Sequence, residues 1–354
     1  MRVTQGMLSN NSVRYLSSSY NRLSELSDQM TSGKKISKPS DDPVVAMNGM
    51  RYRSQVKEIT QFERNLNEGF SWLDNADSAL NETGEALQRI RELTVQASND
   101  SYESSERGNI ADEIQSLQEH LVSLADTKVG DTYIFSGTAT DRTPINENLL
   151  NIDYNKFVAE SDKKDFVISY QGQTFKNDST DASGNTFIAS NGEKMIVDPA
   201  TNKVTYQYEF RNGETENYEE KLTGEQLVIS HVDAVSNNTE DVMIEVMKGI
   251  KIPMNVQPQG AFSIKLFSGL ESIKKMLNDP NTKGEDITKS LEHMDQMLNA
   301  VVSTRSELGA RTNRAEMVEN RLSEQEVIAI EMVSKNEDVD LEEVFIQLTI
   351  QQSI

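Results

Sequence analysis

The stretch Thr31–Pro43, TSGKKISKPSDDP, interrupts a helical pattern that holds on both sides of it. Its thirteen residues include one Gly, two Pro, three Lys and two adjacent Asp. Upstream, Val13, Leu16, Tyr20, Leu23 and Met30 follow 3–4 spacing, with Leu26 beside the stripe. This spacing predicts an amphipathic helix with a narrow apolar seam. Gly33 stands where a left-handed residue ends a helix. Asp42 is a good N-cap, and Pro43 suits a first helical turn, where a missing N–H costs nothing. The stretch therefore predicts a stop followed by a start.

Downstream, Ile59, Phe62, Leu66, Leu73, Ala76, Leu80, Leu87, Ile90 and Ala97 keep the same rhythm. They predict one helix from Pro43 to Ser98, roughly 80 Å long at about 1.5 Å per residue. Such lengths belong to coiled coils and bundles. The cluster Asn99-Asp100-Ser101 predicts its end. Ile110, Ile114, Leu117, Leu121 and Leu124 predict a third helix, stopped by Gly130 and antiparallel to the second. The grammar then changes. Asp131–Ser136 reads as a strand, and Phe166–Tyr170, Lys194–Val197, Val204–Phe210 and Gln226–Ser230 read as further strands. Turn clusters separate them: Asp181–Gly184, Arg211-Asn-Gly213, Asn191-Gly192 and Asn202. Helices return at Phe262–Leu277, ended by Asp279-Pro280, and a capping box Thr282-x-x-Glu285 opens another. Ile287, Leu291, Met294, Leu298, Val301, Leu308, Ala315 and Leu322 form its seam; Arg305 and Thr312 interrupt it, and Val327, Ile330 and Val333 extend it. A second acidic break, Lys335–Asp340, precedes the last segment, Leu341–Ile354. The layout is nested: mainly α, with a β-rich insert in the middle.

The 354 residues carry a formal charge of −22, which argues against nucleic acid as a partner because phosphate binding needs a clustered basic surface. Cysteine is absent, which removes disulfides, thiol nucleophiles and thiolate metal sites. The first 30 residues lack the apolar run of a cleaved signal peptide, and no stretch approaches about 18 apolar residues, so no membrane insertion is expected. His120, His231 and His293 lack partners at metal-ligand spacing and read as surface or helix-face residues. Asp41-Asp42 reads as helix capping rather than a catalytic pair, and Gly33-Lys34 lacks the other glycine of a phosphate loop. No EF-hand loop occurs among the Asp and Asn of the insert, which read as solvated turns. The reading assigns no catalytic residue, no metal and no cofactor. Residues 1–40 hold six basic and two acidic side chains, net +4; residues 331–354 hold six acidic and one basic, net −5. Opposite signs favour association of the two ends. A basic amphipathic first helix could lie on a membrane, but a narrow Leu/Val seam without Phe or Trp prefers another helix.

Four stretches carry a family resemblance: MRVTQGML at the start, TSGKKISKPSDDPVVAMNGM, RIRELTVQASND, and KVGDTYIFSGTATDRTPI. Together they resemble the bacterial flagellin superfamily, and MRVTQGM with YIFSGT points to its hook–filament junction branch. The likeness is strong over residues 1–145, holds in pattern over 260–354, and says little about the insert. It implies flagellin-like nested domains with long antiparallel helices and paired N- and C-terminal helices. Residues 1–42 and 332–354 would form an inner coiled coil, poorly ordered in the monomer until assembly. Residues 43–149 and 258–331 would form a helical middle domain, and 150–257 a β-rich outer insert. Thr31–Pro43 would be the connector between coil and middle domain. The implied role is structural and non-enzymatic: an extracellular adaptor ring joining hook to filament, exported by the flagellar type III system. Implied partners are a hook-side junction protein, flagellin, copies of itself and a cytosolic export chaperone. The expected assembly interface is Val13, Leu16, Tyr20, Leu23, Met30, Leu341, Val344 and Leu348. The last segment stops at Gln351–Ile354 without a stop signal, which would shorten the terminal helix and weaken polymerisation. Three alternatives stand: a flagellin filament subunit, an exported enzyme or adhesin with its site in the insert, and a free-standing coiled-coil signalling protein.

Overall fold

A computed structural model describes residues 5–99, 102–160, 162–178, 180–181, 183–199, 201, 203–211 and 215–353. Helix α1, Gln5–Ser32, runs up to the interrupting stretch. Gly33 then takes φ +66°, and its N–H donates to Gln29 O at 2.8 Å, the left-handed ending expected of it. Helix α2, Pro43–Ala97, starts at the expected cap: Asp42 Oδ1 accepts from Val44 N at 2.9 Å and Val45 N at 3.1 Å. Helix α3, Ser104–Ala125, begins where Glu103 N–H donates to Glu106 Oε2 at 3.1 Å. Gly130 does not stop this helix. At φ +62° it turns a two-residue hairpin of β1, Lys128–Val129, and β2, Thr132–Tyr133. The expected strand Asp131–Ser136 breaks at Ile134 because Ile134 and Phe135 turn inward, and the Phe135 ring meets Phe262 edge-on with centroids 4.9 Å apart.

The insert opens with the short helix α4, Tyr154–Ala159. Strands β3 (Phe166–Tyr170), β4 (Gln173–Asn177), β5 (Thr186–Ala189), β6 (Lys194–Asp198), β7 (Lys203–Arg211), β8 (Thr215–Thr223) and β9 (Val228–His231) follow. They form one antiparallel sheet in the order β8-β7-β6-β5-β4-β3-β9. Gly184 (φ +66°) and Gly192 (φ +92°) make the turns before β5 and β6. Asn212 and Gly213 of the expected turn, the Asn202 turn and the first four residues lie outside the described residues. Strands β10 (Met243–Met247) and β11 (Ile250–Pro253) pair separately, and α5 (Pro258–Ala261) leads back to the helices. Helix α6, Ile264–Asn278, is capped by Ser263, whose Oγ accepts from Leu266 N at 3.3 Å. Helix α7, Gly284–Glu337, starts one residue later than a Thr282 box requires: Asp286 N and Ile287 N bond back to Lys283 O. Helix α8, Leu341–Gln352, is capped by Asp340.

The chain divides into two compact units, and the divisions fall inside α2, β10, β11 and α7. Unit 2 holds residues 67–244 and 251–315. Here the seam of Leu73, Ala76, Leu80, Leu87 and Ile90 is buried, as are Ile110, Ile114 and Leu121 of α3 and Ile287, Met294 and Val301 of α7. The pairs Asp77–Arg305 (2.8 Å) and Arg91–Asp295 (2.6 Å) set α2 antiparallel to α7 in this unit. Helix α6 packs on α3 and on β3, β4 and β9. Small residues allow close approach there: Ser169 Oγ donates to Ser268 Oγ at 2.8 Å, and Gly172 N–H to Ser272 Oγ at 3.3 Å. Covered this way, β3 is buried on both faces. The insert core centres on Phe157, Phe175 and Phe187, each fully buried.

Unit 1 holds residues up to 66, 245–250 and 316 onward. Ile59 and Leu66 of α2 and Val318, Leu322 and Ala329 of α7 are buried in it. Val327 and Ile330 do not extend the seam as expected: they are 65% and 50% exposed, and the seam continues through Ala329 instead.

Candidate assembly surface

Both ends of the chain meet in unit 1. Helices α1 and α8 pack together. Arg22 Nη2 donates to Gln347 Oε1 at 3.2 Å and the Gln351 amide donates to Ser19 Oγ, so the two helices are antiparallel. Leu26 (2% exposed) and Val344 (4%) are the buried apolar side chains of these two helices, with Leu23 and Leu348 half-buried. Val13, Leu16, Tyr20, Met30 and Leu341 are exposed, as are Phe345, Ile346 and Ile350. The expected interface residues thus fall on two faces: Leu23, Val344 and Leu348 turn inward, and the other five turn to solvent. The periodicity could not separate them, because α1 has an apolar stripe wider than one partner covers.

The stretch Thr31–Pro43 is tied to the turn between α7 and α8. Lys35 N–H donates to Glu337 O at 2.7 Å and Val339 N–H to Gly33 O at 3.0 Å, an antiparallel bridge centred on Lys34 and Asp338. Lys34 Nζ lies 2.6 Å from Asp338 Oδ1 and 3.6 Å from Glu337 Oε2. Lys35 Nζ donates to Lys335 O at 2.6 Å. Glu337, 5% exposed, is held by Lys34 and by Arg53, whose Nε donates to its Oε2 at 3.1 Å. Asn336 Nδ2 donates to Val45 O at 2.9 Å. Gly49 makes room for this knot, since a Cβ there would collide with Glu337 Oε1. Asp41 is structural too: its Oδ2 accepts from Lys38 N at 2.8 Å and Ser37 N at 3.1 Å. The buried Glu337 is the residue that sequence reading missed. Its only signal is that it stands among the basic side chains' natural counterparts, in the acidic break Lys335–Asp340.

Hydrogen bonds set the charge states. Lys34, then Ser334, holds the Asp338 carboxyl below its usual range, and the Lys38 N–H does the same for Asp41. A carboxyl whose folded pKa is depressed stabilises the fold above its unfolded pKa, and this is lost as pH falls through the folded value. The knot is therefore expected to hold at neutral pH and to loosen below about pH 4. Amide exchange at Lys35 and Val339, corrected for intrinsic rates, checks this; protection unchanged down to pH 3 would contradict it.

Outside the knot, His120 is exposed, His231 Nδ1 accepts from Asp233 N at 3.1 Å, and His293 sits against Gly172, with burial lowering its pKa. A small cavity of about 180 Å³ in unit 1 lies between α2 and α7 beside Met247 and Lys248. Among the described residues, no group of three potential metal ligands occurs and no helix is long and apolar enough to cross a membrane.

Residues 3–140 match the bacterial flagellin N-terminal helical region. A flagellin of Clostridium tyrobutyricum is 25% identical, over 96% of this chain and 92% of its own length. Flagellar hook-associated protein 3 of Escherichia coli K12 is 23% identical, over 96% and 89%. Among solved structures, a flagellar hook-associated protein from Vibrio parahaemolyticus aligns with a TM-score of 0.57 at 14% identity, covering 84% of this chain and all of that one. FlgL of Bacillus cereus aligns with a TM-score of 0.50 at 16% identity, covering 80% and 99%. The fold is thus the mainly α, flagellin-like one with a β-rich insert. The chain resembles the third hook-associated protein in sequence and in fold.

Proposed function

We propose that this chain is a structural subunit of the bacterial flagellum, outside the cell, and that it works as an adaptor between hook and filament. The observation that carries this reading is the pairing of the two chain ends in the unit that holds most of the exposed large hydrophobic side chains. Of the twenty large hydrophobic side chains exposed among the described residues, sixteen lie in unit 1. Patches of that kind mark contact surfaces. In this reading residues 1–42 and 332–354 form the inner coil, 43–149 and 258–331 the middle domain, and 150–257 the outer insert. Export runs through the flagellar type III channel with a chaperone. The neighbours are a hook-side junction protein, flagellin and other copies of the chain. The work of the protein is binding, with no catalytic step.

Immunogold labelling of intact flagella with an antibody against residues 150–257 tests the reading. Gold at one spot at the hook end of each filament is expected. Gold along the whole filament would make the chain a filament subunit, and no gold on flagella would overturn the flagellar role. A second test uses Leu16, which is 56% exposed. Leu16→Asp is expected to leave the melting temperature of the isolated chain within about 1 °C, because surface changes are usually within ±0.5 kcal/mol. It is expected to abolish incorporation into flagella. Normal incorporation of the variant would remove Val13, Leu16 and Tyr20 from the interface.

A further inference from the structure

The two long helices of unit 1 present unlike outer faces. On α2, Val44, Met47 and Met50 are 61%, 62% and 66% exposed. Arg51 and Lys57 continue that exposed face, and residues 44–57 hold three basic side chains and no acid. On α7, the exposed Val327 and Ile330 stand among Glu316, Glu324 and Glu331, all exposed. Residues 316–334 hold five Glu and one Arg. The opposite sides of both helices, at Ile59, Leu66, Leu322 and Ala329, are buried. The two apolar stripes therefore point away from the intramolecular seam.

Neither stripe suits itself. A two-fold contact would set base against base on α2 or acid against acid on α7, and like charges across an interface are costly. The stripes suit each other. We propose that the Val44–Met47–Met50 stripe of one copy docks antiparallel on the Val327–Ile330 stripe of the next, which at about 1.5 Å per residue sets Arg51 opposite the exposed Glu324 and Lys57 opposite the exposed Glu319. This rests on the flagellar reading insofar as copies stand side by side. Where each copy meets one neighbour through α2 and another through α7, the contact is heterologous and propagates into a ring or a helical array rather than closing as a dimer. The apolar centre supplies the burial, and the charged rim selects the neighbour and fixes register.

The chain has no cysteine, so introduced thiols are unique. Met47→Cys, Val327→Cys and the double variant are expressed as full chains in the flagellated bacterium, and isolated flagella are mildly oxidised. The double variant is expected to give a ladder of dimers and larger disulfide-linked products. Each single variant alone stays uncoupled, and the two singles expressed together give dimers only. Arg51→Glu with Lys57→Glu is expected to lose the ladder, and Glu324→Lys with Glu319→Lys to restore it. A double variant that enters flagella without a ladder overturns the proposal, as do single variants that dimerise as well as the mixture does. If the chain never enters flagella, the flagellar reading fails, and the oxidation is repeated on the concentrated purified chain. A ladder there upholds the pairing of faces, and its absence overturns it.

Discussion

Leu26→Asp is expected to release the C-terminal helix from α1. Leu26 is 2% exposed, and a carboxylate placed there loses water without gaining a partner. The change is expected to cost about 3 kcal/mol or more. Helix α8 has twelve residues, too few to hold its shape alone in water. Its amides, protected by the packing on α1, are therefore expected to exchange at close to free rates across Leu341–Gln352. Hydrogen exchange read by mass spectrometry measures this segment directly. Unit 2, with its own core, is expected to keep its melting temperature. Unchanged protection over Leu341–Gln352 would show that α8 is held by something other than Leu26, and the knot at Glu337 would be the next place to look. Leu16→Asp makes the useful contrast: the same chemistry ten residues upstream, on the solvent face of the same helix, is expected to disturb assembly and leave the monomer intact.

The second large effect is expected at Phe157→Ala. The ring is fully buried and lies 5.3 Å from the Phe166 ring and 5.9 Å from that of Phe187. Truncation of a buried Phe typically costs about 3–5 kcal/mol, from lost burial and the cavity left behind. Helix α4 is only six residues long and has Phe157 as its one fully buried side chain, with Tyr154 and Val158 partly buried beside it. A lower thermal transition of the sheet is expected in circular dichroism, with exchange in α1 and α8 unaltered. A change of less than about 1 kcal/mol would mean that Tyr154 and Val158 refill the space.

Long-period features were legible in the sequence. The seam from Leu73 to Ile90, Gly33 as a stop and Asp42 as a cap each follow from local chemistry, and each stands where it was expected. What was not legible has physical reasons. Strand β8 reads as a polar segment because it is a sheet edge, where charge guards against unwanted pairing; Glu219, Glu220 and Lys221 are all exposed. Strand β4 has Phe175 as its one large apolar side chain and so shows no alternation in sequence, and α4 is too short for a helical period. At Thr282 the box motif is present but the helix begins after it. On α7, Val327 and Ala329 both fit a 3–4 rhythm, and only the partner helix decides which is covered. The assembly face suffers the same ambiguity: an apolar residue bound for a neighbouring molecule looks, in sequence, like one bound for the core.

The bridge between Lys34 and Asp338 spans 304 positions of the chain. A ribosome adds about 5–20 residues per second, so α1 is made on the order of 15–60 seconds before the residues it will be tied to. Throughout that interval Leu26 waits for α8, the helix that packs on α1. The clasp is thus a late event by construction, closed only when the final segment is free. A chain caught before that moment carries its sticky face open.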